Sequence, residues 1–91
     1  MYEKLLWNVI VFFKKSKFET HTVFFESGNK EVYFECMGEK LHGSNIRWYE
    51  NGNVCSILNF KRGKVHGKCI QYSEDGVIES RENFKMGKKI P

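Results

Sequence analysis

Apolar and polar positions repeat along this chain at a constant spacing, which we call the repeat interval. It is 24 residues long and separates like residues between positions 28 and 84: Gly28, Gly52 and Gly76, and the pairs Trp48–Tyr72, Asn59–Asn83, Phe60–Phe84 and His42–His66. Self-similarity at a fixed period of about 20 to 50 residues indicates a repeat architecture. Between the glycines, apolar residues follow strand patterns and show no helical spacing. The sequence therefore predicts an all-β protein, an antiparallel meander of β-hairpins.

Each full repeat contains two loops that end in glycine, Glu50–Gly52 and Lys61–Gly63 in the third unit. We interpret both as three-residue hairpin loops with a left-handed glycine at the third place. A two-residue Asn51-Gly52 turn is the alternative. The three-residue length places Trp48 opposite Val54 and Phe60 opposite Lys64. It predicts that seven large apolar residues share one face of the sheet: Ile46, Trp48, Val54, Leu58, Phe60, Ile70 and Tyr72.

The two strands of a repeat differ in length, at eight residues for Asn53–Phe60 and ten for Lys64–Ser73. An inserted residue or kink would absorb this difference. Glycine tolerates such irregular backbone, and it often marks a bulge within a strand. We therefore expect the irregularity at Gly67 and at its equivalent, Gly43.

Residues 1–91 are predicted to form one domain. It consists of four repeat units, which begin near Tyr2, Phe25, Tyr49 and Ser73. The first unit is degenerate, and the second has a longer predicted loop whose glycine, Gly38, is shifted by one position. In the fourth unit Arg81 and Glu82 replace apolar residues, as is typical of a polar capping repeat.

The first unit contains a stretch, Leu5–Phe13, that is apolar on both faces of a strand. It is too short to span a bilayer. Two lysines follow it where a signal peptide would have small residues. Two interpretations stay open: a strand packed on both sides, or a contact with a second copy or another protein. The self-association candidates are Leu6, Trp7, Val9, Ile10, Val11 and Phe12.

The third unit, Tyr49-Glu50-Asn51-Gly52 followed by Asn59-Phe60-Lys61-Arg62-Gly63-Lys64-Val65-His66-Gly67, resembles the MORN repeat. It is most similar to the variant found in bacterial proteins, some of which are classed as antitoxins of toxin–antitoxin systems. The resemblance covers residues 25–90 well and residues 2–24 weakly. It implies an elongated, curved sheet of hairpins that contacts proteins or membranes and has no intrinsic catalysis.

The residues themselves give little sign of site chemistry. No catalytic or phosphate-binding motif is present. His42 and His66 would lie about 9.5 Å apart, two strands from each other, which is too far for a shared zinc ion. The three cysteines form no C-x-x-C motif and favour a reducing, cytoplasmic setting. We expect no enzyme activity, cofactor, metal site or small-molecule substrate.

The chain has 15 basic and 11 acidic residues, and many of the two kinds lie in different predicted loops. In a meander, alternate loops emerge at opposite edges. One edge collects Glu3, Glu26, Glu50, Glu74 and Asp75; the other collects Lys14, Lys15, Lys17, Lys61, Arg62, Lys64, Lys85, Lys88 and Lys89. The basic loops are either simply solvated or a surface for an acidic protein or anionic lipid. Nucleic acid is not expected, because no recognition motif is present and the acidic edge opposes wrapping.

These observations lead to one functional expectation and one alternative. The expectation is a non-enzymatic MORN-like module that binds a protein partner, with a homodimer or an antitoxin-like complex as specific forms. The alternative is association with anionic lipid headgroups through the basic edge.

Overall fold

The computed structural model describes residues 17–91, which form one open, curved antiparallel sheet. The first unit up to residue 16, including Leu5–Phe13, lies outside the described residues. The strands are β1 Phe18–Phe24, β2 Lys30–Met37, β3 Lys40–Trp48, β4 Val54–Lys61, β5 Lys64–Val65, β6 Gly67–Tyr72, β7 Ile78–Lys85 and β8 Lys88–Ile90. Neighbours in sequence pair in the order β1-β2-β3-β4-β6-β7-β8, and β5 also pairs with β4. The predicted all-β meander is confirmed.

The turns at one edge of the sheet have the predicted three-residue length. In the third unit the Gly52 amide donates to the Tyr49 carbonyl over 3.0 Å, and the Tyr49 amide donates to the Asn53 carbonyl over 2.8 Å. Gly52 takes a φ of +94°, as a left-handed residue at the end of such a loop requires. The same pair of bonds closes the loops at residues 25–29 and 73–77.

The turns at the other edge are one residue shorter than predicted. Lys61 lies opposite Lys64, and Phe60 lies opposite Val65 rather than Lys64. The loop is therefore Arg62-Gly63, whose φ angles of +53° and +85° are those of a type I′ turn. This turn is common in tight hairpins because its twist matches that of the flanking strands.

The second unit has a two-residue loop as well, so the predicted longer loop is wrong. Met37 pairs with Lys40, which leaves only Gly38 and Glu39 in the turn. Gly38 takes a φ of +65° and occupies the place of Arg62, whereas glycine fills the second place of the later turn. The apparent shift of Gly38 is thus a different use of glycine within a turn of equal length.

A one-residue bulge follows each three-residue loop. In the third unit Trp48 pairs with Val54, but Arg47 pairs with Ser56, so Cys55 is the extra residue. The same shift makes Glu31 and Glu79 the extra residues in the other units. A bulge changes which side chains oppose each other across the ladder.

This bulge divides the predicted apolar set between two faces, which corrects the single-face prediction. Ile46 lies opposite Ile57, which lies opposite Ile70, and we call the side that carries them the isoleucine face. Leu58 lies opposite Asn45 and therefore points to the other side, together with Phe60. We call that side the phenylalanine face.

The irregularity expected at Gly67 and Gly43 is confirmed. Phe60 pairs with Val65 and Ile57 pairs with Ile70, so the strand that contains Gly67 carries two extra residues between these pairs. Gly67 takes a φ of +99° and Gly43 a φ of +112°. Both glycines therefore occupy backbone conformations that other residues adopt only with strain.

The described sheet is a single layer with little deep burial. Cys69, at 6% exposure, and Ser56, at 7%, are the only buried residues in the range 17–91. Most β-sheet domains bury at least one face against a second layer. The described part of this chain therefore depends on strand pairing and on half-buried rows of side chains along both faces.

The Gly43 bulge gives a direct test of this geometry. A methyl group added at Gly43 would collide with the Glu35 carboxylate, whereas one added at Gly67 would meet only Asn59 Cβ, at 3.7 Å. We expect Gly67→Ala to cost about 1–2 kcal/mol of unfolding free energy from backbone strain alone. Gly43→Ala should cost more, as measured by urea denaturation. Equal losses at the two sites would contradict the close packing of Glu35 over Gly43.

Candidate functional site

The predicted basic residues lie together at the edge formed by the two-residue turns. Lys61 faces Lys64 and Lys85 faces Lys88 across successive hairpins. Six described candidates at this edge are exposed, and we call them the basic edge: Lys17, Lys61, Arg62, Lys64, Lys85 and Lys88. Lys89, also predicted at this edge, is exposed and forms an ion pair with Glu82 over 2.7 Å. Lys14 and Lys15 lie outside the described residues.

One further residue of this row, Lys40, is absent from the residues predicted at this edge. It lies one repeat interval before Lys64, and its side chain packs 3.7 Å from the position of a Cβ on Gly63. Lys64 covers Gly87 in the same way, at 3.9 Å. The repeat interval could have identified Lys40, but the loop-length error placed it out of register.

The acidic residues of the three-residue loops lie at the opposite edge. Glu26, Glu50, Glu74 and Asp75 are all exposed there. Lys30 is a basic residue near this edge, and its Nζ lies 4.9 Å from the centroid of the Trp48 ring. The sheet thus has loops of mainly opposite charge at its two ends.

Histidine side chains connect the turns of the basic edge from one unit to the next. The Arg62 amide donates to Nδ1 of His42 over 3.2 Å, and the Met86 amide donates to Nδ1 of His66 over 3.1 Å. Because Nδ1 accepts in both bonds, each ring carries its proton on Nε2. Each of these histidines therefore stabilises the turn of the following unit.

Main-chain bonds reinforce each of these connections. The Gly63 amide donates to the Leu41 carbonyl over 2.8 Å, and the Gly87 amide donates to the Val65 carbonyl over 2.7 Å. Two successive amides of each turn therefore bind to the preceding unit. Such turns are closed parts of the sheet rather than free loop tips.

Asparagines connect the turns of the acidic edge. Nδ2 of Asn29 donates to the Glu50 carbonyl over 3.1 Å, and Nδ2 of Asn53 donates to the Glu74 carbonyl over 2.8 Å. The donors lie one repeat interval apart, so their spacing could have revealed the pattern. Val77 occupies the next equivalent position and has no side-chain donor.

Glu35 packs against the bulge at Gly43 and forms hydrogen bonds there. Its carboxylate accepts hydrogen bonds from the Tyr33 hydroxyl and the Ser44 amide, each at 2.7 Å. These bonds, that from Tyr33 first, lower the pKa of Glu35 below its usual value, while the same contact raises the pKa of Tyr33. One unit later, Asn59 donates to the Lys68 carbonyl over 2.9 Å. The Glu35 carboxylate therefore stabilises the sheet at the Gly43 bulge.

Tyr49 connects the two ends of the third unit, at the edge that carries the acidic loops. Its hydroxyl donates to the Tyr72 carbonyl over 2.7 Å. Hydrogen bonding with Cys55, followed by desolvation and nearby negative charge, raises the pKa of Tyr49. The phenol is therefore a hydrogen-bond donor here and stays protonated at neutral pH.

An open pocket of about 430 Å³ lies on the isoleucine face between β6 and β7. Its lining includes Ile70, Tyr72, Ile78, Lys68, Arg81 and Asn83.

Within residues 17–91 no group of three or more His, Cys, Asp or Glu side chains is placed to hold a metal ion. The thiols of Cys36, Cys55 and Cys69 are free. No helix in the same range is long and apolar enough to cross a membrane.

Successive hairpins, fixed turn lengths and hydrogen bonds between equivalent turns define a tandem β-hairpin repeat. Residues 41–62 and 65–86 match the model of the MORN repeat variant, and the chain belongs to the MORN-repeat family. This type of repeat is non-catalytic and is common in binding modules. No curated protein and no solved structure matches the chain.

The histidine connection can be tested with two substitutions of similar size. His66→Leu removes the acceptor for the Met86 amide, and we expect it to lower the unfolding free energy by about 1 kcal/mol. His66→Asn keeps an oxygen acceptor close to the Nδ1 position and should lose less stability. Urea denaturation at neutral pH measures both. Equal losses, or none for His66→Leu, would contradict this role for the ring.

Proposed function

We propose that this chain is a non-enzymatic binding module that docks a protein partner. The observation that carries this proposal is the single-layer sheet, in which residues 17–91 leave apolar side chains accessible on both faces. Val23 is 47% exposed on the phenylalanine face, and Phe24 is 57% exposed on the isoleucine face. Extended apolar surfaces of this kind usually mark interaction sites in soluble proteins.

The repeat gives this surface a regular form. Ile46, Ile57 and Ile70 lie in file across three strands and are each only half-buried. The hydrogen bonds between turns fix the spacing of these rows, so a partner would meet a pre-organised surface. Pre-organisation favours affinity because little order must be gained on binding.

The proposal includes two kinds of protein partner. One is a second copy of the chain, which the apolar segment at residues 5–13 suggests from sequence. The other is a different protein, which in an antitoxin-like role would be the toxin. Both forms use the same general property, an open β-surface with accessible apolar side chains.

Affinity purification from the native cell, followed by reconstitution with the purified partner, tests this function. We expect a stoichiometric complex whose hydrogen-exchange footprint includes Ile46, Ile57 and Ile70. Analytical ultracentrifugation of the free protein separates self-association from binding to another protein. A strict monomer at high concentration, together with no reconstituted complex, would overturn the proposal.

A second candidate function is association with anionic lipid headgroups. The specific support for it is the basic edge, whose six cations are exposed and lie on successive turns. A basic residue near an anionic membrane surface contributes about 1 kcal/mol to binding. The acidic loops lie at the opposite edge, so the basic edge could approach a membrane without them.

The lipid candidate predicts a charge-reversal effect confined to that edge. Co-sedimentation with vesicles of phosphatidylcholine and phosphatidylserine should fall at least tenfold in the triple variant Lys61→Glu, Arg62→Glu and Lys64→Glu. A matched control reverses three exposed cations on the strands: Arg47→Glu, Lys68→Glu and Arg81→Glu. The control should bind better than the edge variant. Unchanged binding by the edge variant would rule the candidate out.

A further inference from the structure

The hydrogen bonds that His42 and His66 form with the turns depend on the charge of the imidazole ring. In each ring Nδ1 accepts from a backbone amide, that of Arg62 over 3.2 Å and that of Met86 over 3.1 Å. A neutral imidazole has one nitrogen without a proton, which can accept a hydrogen bond, whereas the protonated ring has none. Each of these two hydrogen bonds therefore exists only while its ring is neutral.

Histidine ordinarily changes its charge between about pH 5 and pH 8. Both rings are half-buried at the edge of the sheet, so protons from solvent can reach them. A proton on Nδ1 would place an N–H group against the N–H group of the turn, and two donors form no hydrogen bond. This contribution to stability is therefore present at neutral pH and is lost as the pH falls.

Basic residues outnumber acidic ones among the described groups near His42. His42 lies on β3, between β2 and β4, and contacts the turn after β4. On β2, Glu35 accepts hydrogen bonds from Tyr33 and Ser44, which hold its pKa below the usual value, so it stays ionised in mild acid. The remaining charged or titratable groups near His42 are Cys36, Glu39, Lys40, Lys61, Arg62 and Lys64.

Basic residues also predominate near His66. This residue lies between β5 and β6, and β4 and β7 flank it. The acidic residue Glu82 on β7 already forms an ion pair with Lys89 over 2.7 Å. The remaining charged or titratable groups near His66 are Lys61, Lys64, Lys68, Cys69, Lys85 and Lys88. A proton on either ring therefore adds positive charge to a basic region, and repulsion between like charges favours separation of the turns.

His21 should respond to acid in the opposite way. Its Nε2 lies 3.6 Å from the carboxylate of Glu19, and its ring stacks on Phe34 with 5.1 Å between centroids. A proton on His21 strengthens the contact with Glu19 and removes no described hydrogen bond. The effect of acid that we expect at the turns is therefore not expected at β1.

We infer that His42 and His66 form a pH-sensitive device, which joins the turns of the basic edge to the preceding units at neutral pH and releases them in mild acid. The amides of Gly63 and Gly87 keep their main-chain acceptors, because carbonyl groups do not titrate in this range. The sheet therefore persists while the basic edge loosens and its cations lose their fixed positions. This behaviour does not depend on which partner the chain binds.

Native-state hydrogen exchange of the full chain, at about pH 7.5 and about pH 5.5, tests this inference across the range in which histidine titrates. A free imidazole takes up its proton near pH 6.5, so release should become about tenfold more favourable at the lower pH. After correction for the direct effect of pH on exchange, the protection of the Arg62 and Met86 amides should fall by that factor. The amides of Gly52 and Gly76 bind main-chain carbonyls and should keep their protection. An equal loss at all four amides, or none at Arg62 and Met86, would overturn the inference.

The substitution His66→Asn separates the ring from general effects of acid. Its side-chain oxygen accepts a hydrogen bond and does not titrate. The protection of Met86 should then be the same at both pH values, while that of Arg62 still falls in the same molecule. A loss at Met86 in acid would overturn the inference. If this variant does not fold, nitrogen-15 NMR of the unmodified protein decides, since a proton on Nδ1 of the neutral rings would overturn it as well.

Discussion

The hydrogen bonds between successive turns are the constraint on which the rest of this structure depends. At one edge, histidine rings and main-chain carbonyls of one unit bind two amides of the next turn. At the other edge, Asn29 and Asn53 donate to the following loops. Strand pairing alone would leave the hairpin ends free to fray. Because both ends are held, equivalent side chains stay in file without a second layer in the described residues.

This construction also determines how side chains are arranged on the sheet. Equivalent residues in neighbouring units lie about 9.5 Å apart, so the repeat produces rows instead of converging groups. Charges follow the turns, with basic residues at one edge and acidic residues at the other. The last hairpin differs, because Lys68 and Arg81 lie near each other on adjacent strands of the isoleucine face.

The repeat interval predicted the strands, the loop Glu50–Gly52 and the irregular backbone at Gly67, because each depends on glycine or on alternation. It did not predict the bulge at Cys55, since Glu31 and Glu79 share no chemistry with cysteine at that position. Because the prediction did not include this extra residue, it assigned Leu58 to the wrong face of the sheet. The length of the turn Arg62-Gly63 was not predicted, because arginine rarely adopts a positive φ. In the structure, His42 on another hairpin accepts a hydrogen bond from the Arg62 amide. The segment at residues 5–13 stays a sequence prediction.

Native-state hydrogen exchange at the turns of the basic edge tests the central claim most directly. We predict that the amides of Arg62, Gly63, Met86 and Gly87 exchange as slowly as those of the paired strands. The amides of Glu50 and Glu74, in the other turns, should exchange much faster. Rapid exchange of all four amides, at the rate of open hairpin tips, would show that the hydrogen bonds between turns do not hold the sheet together.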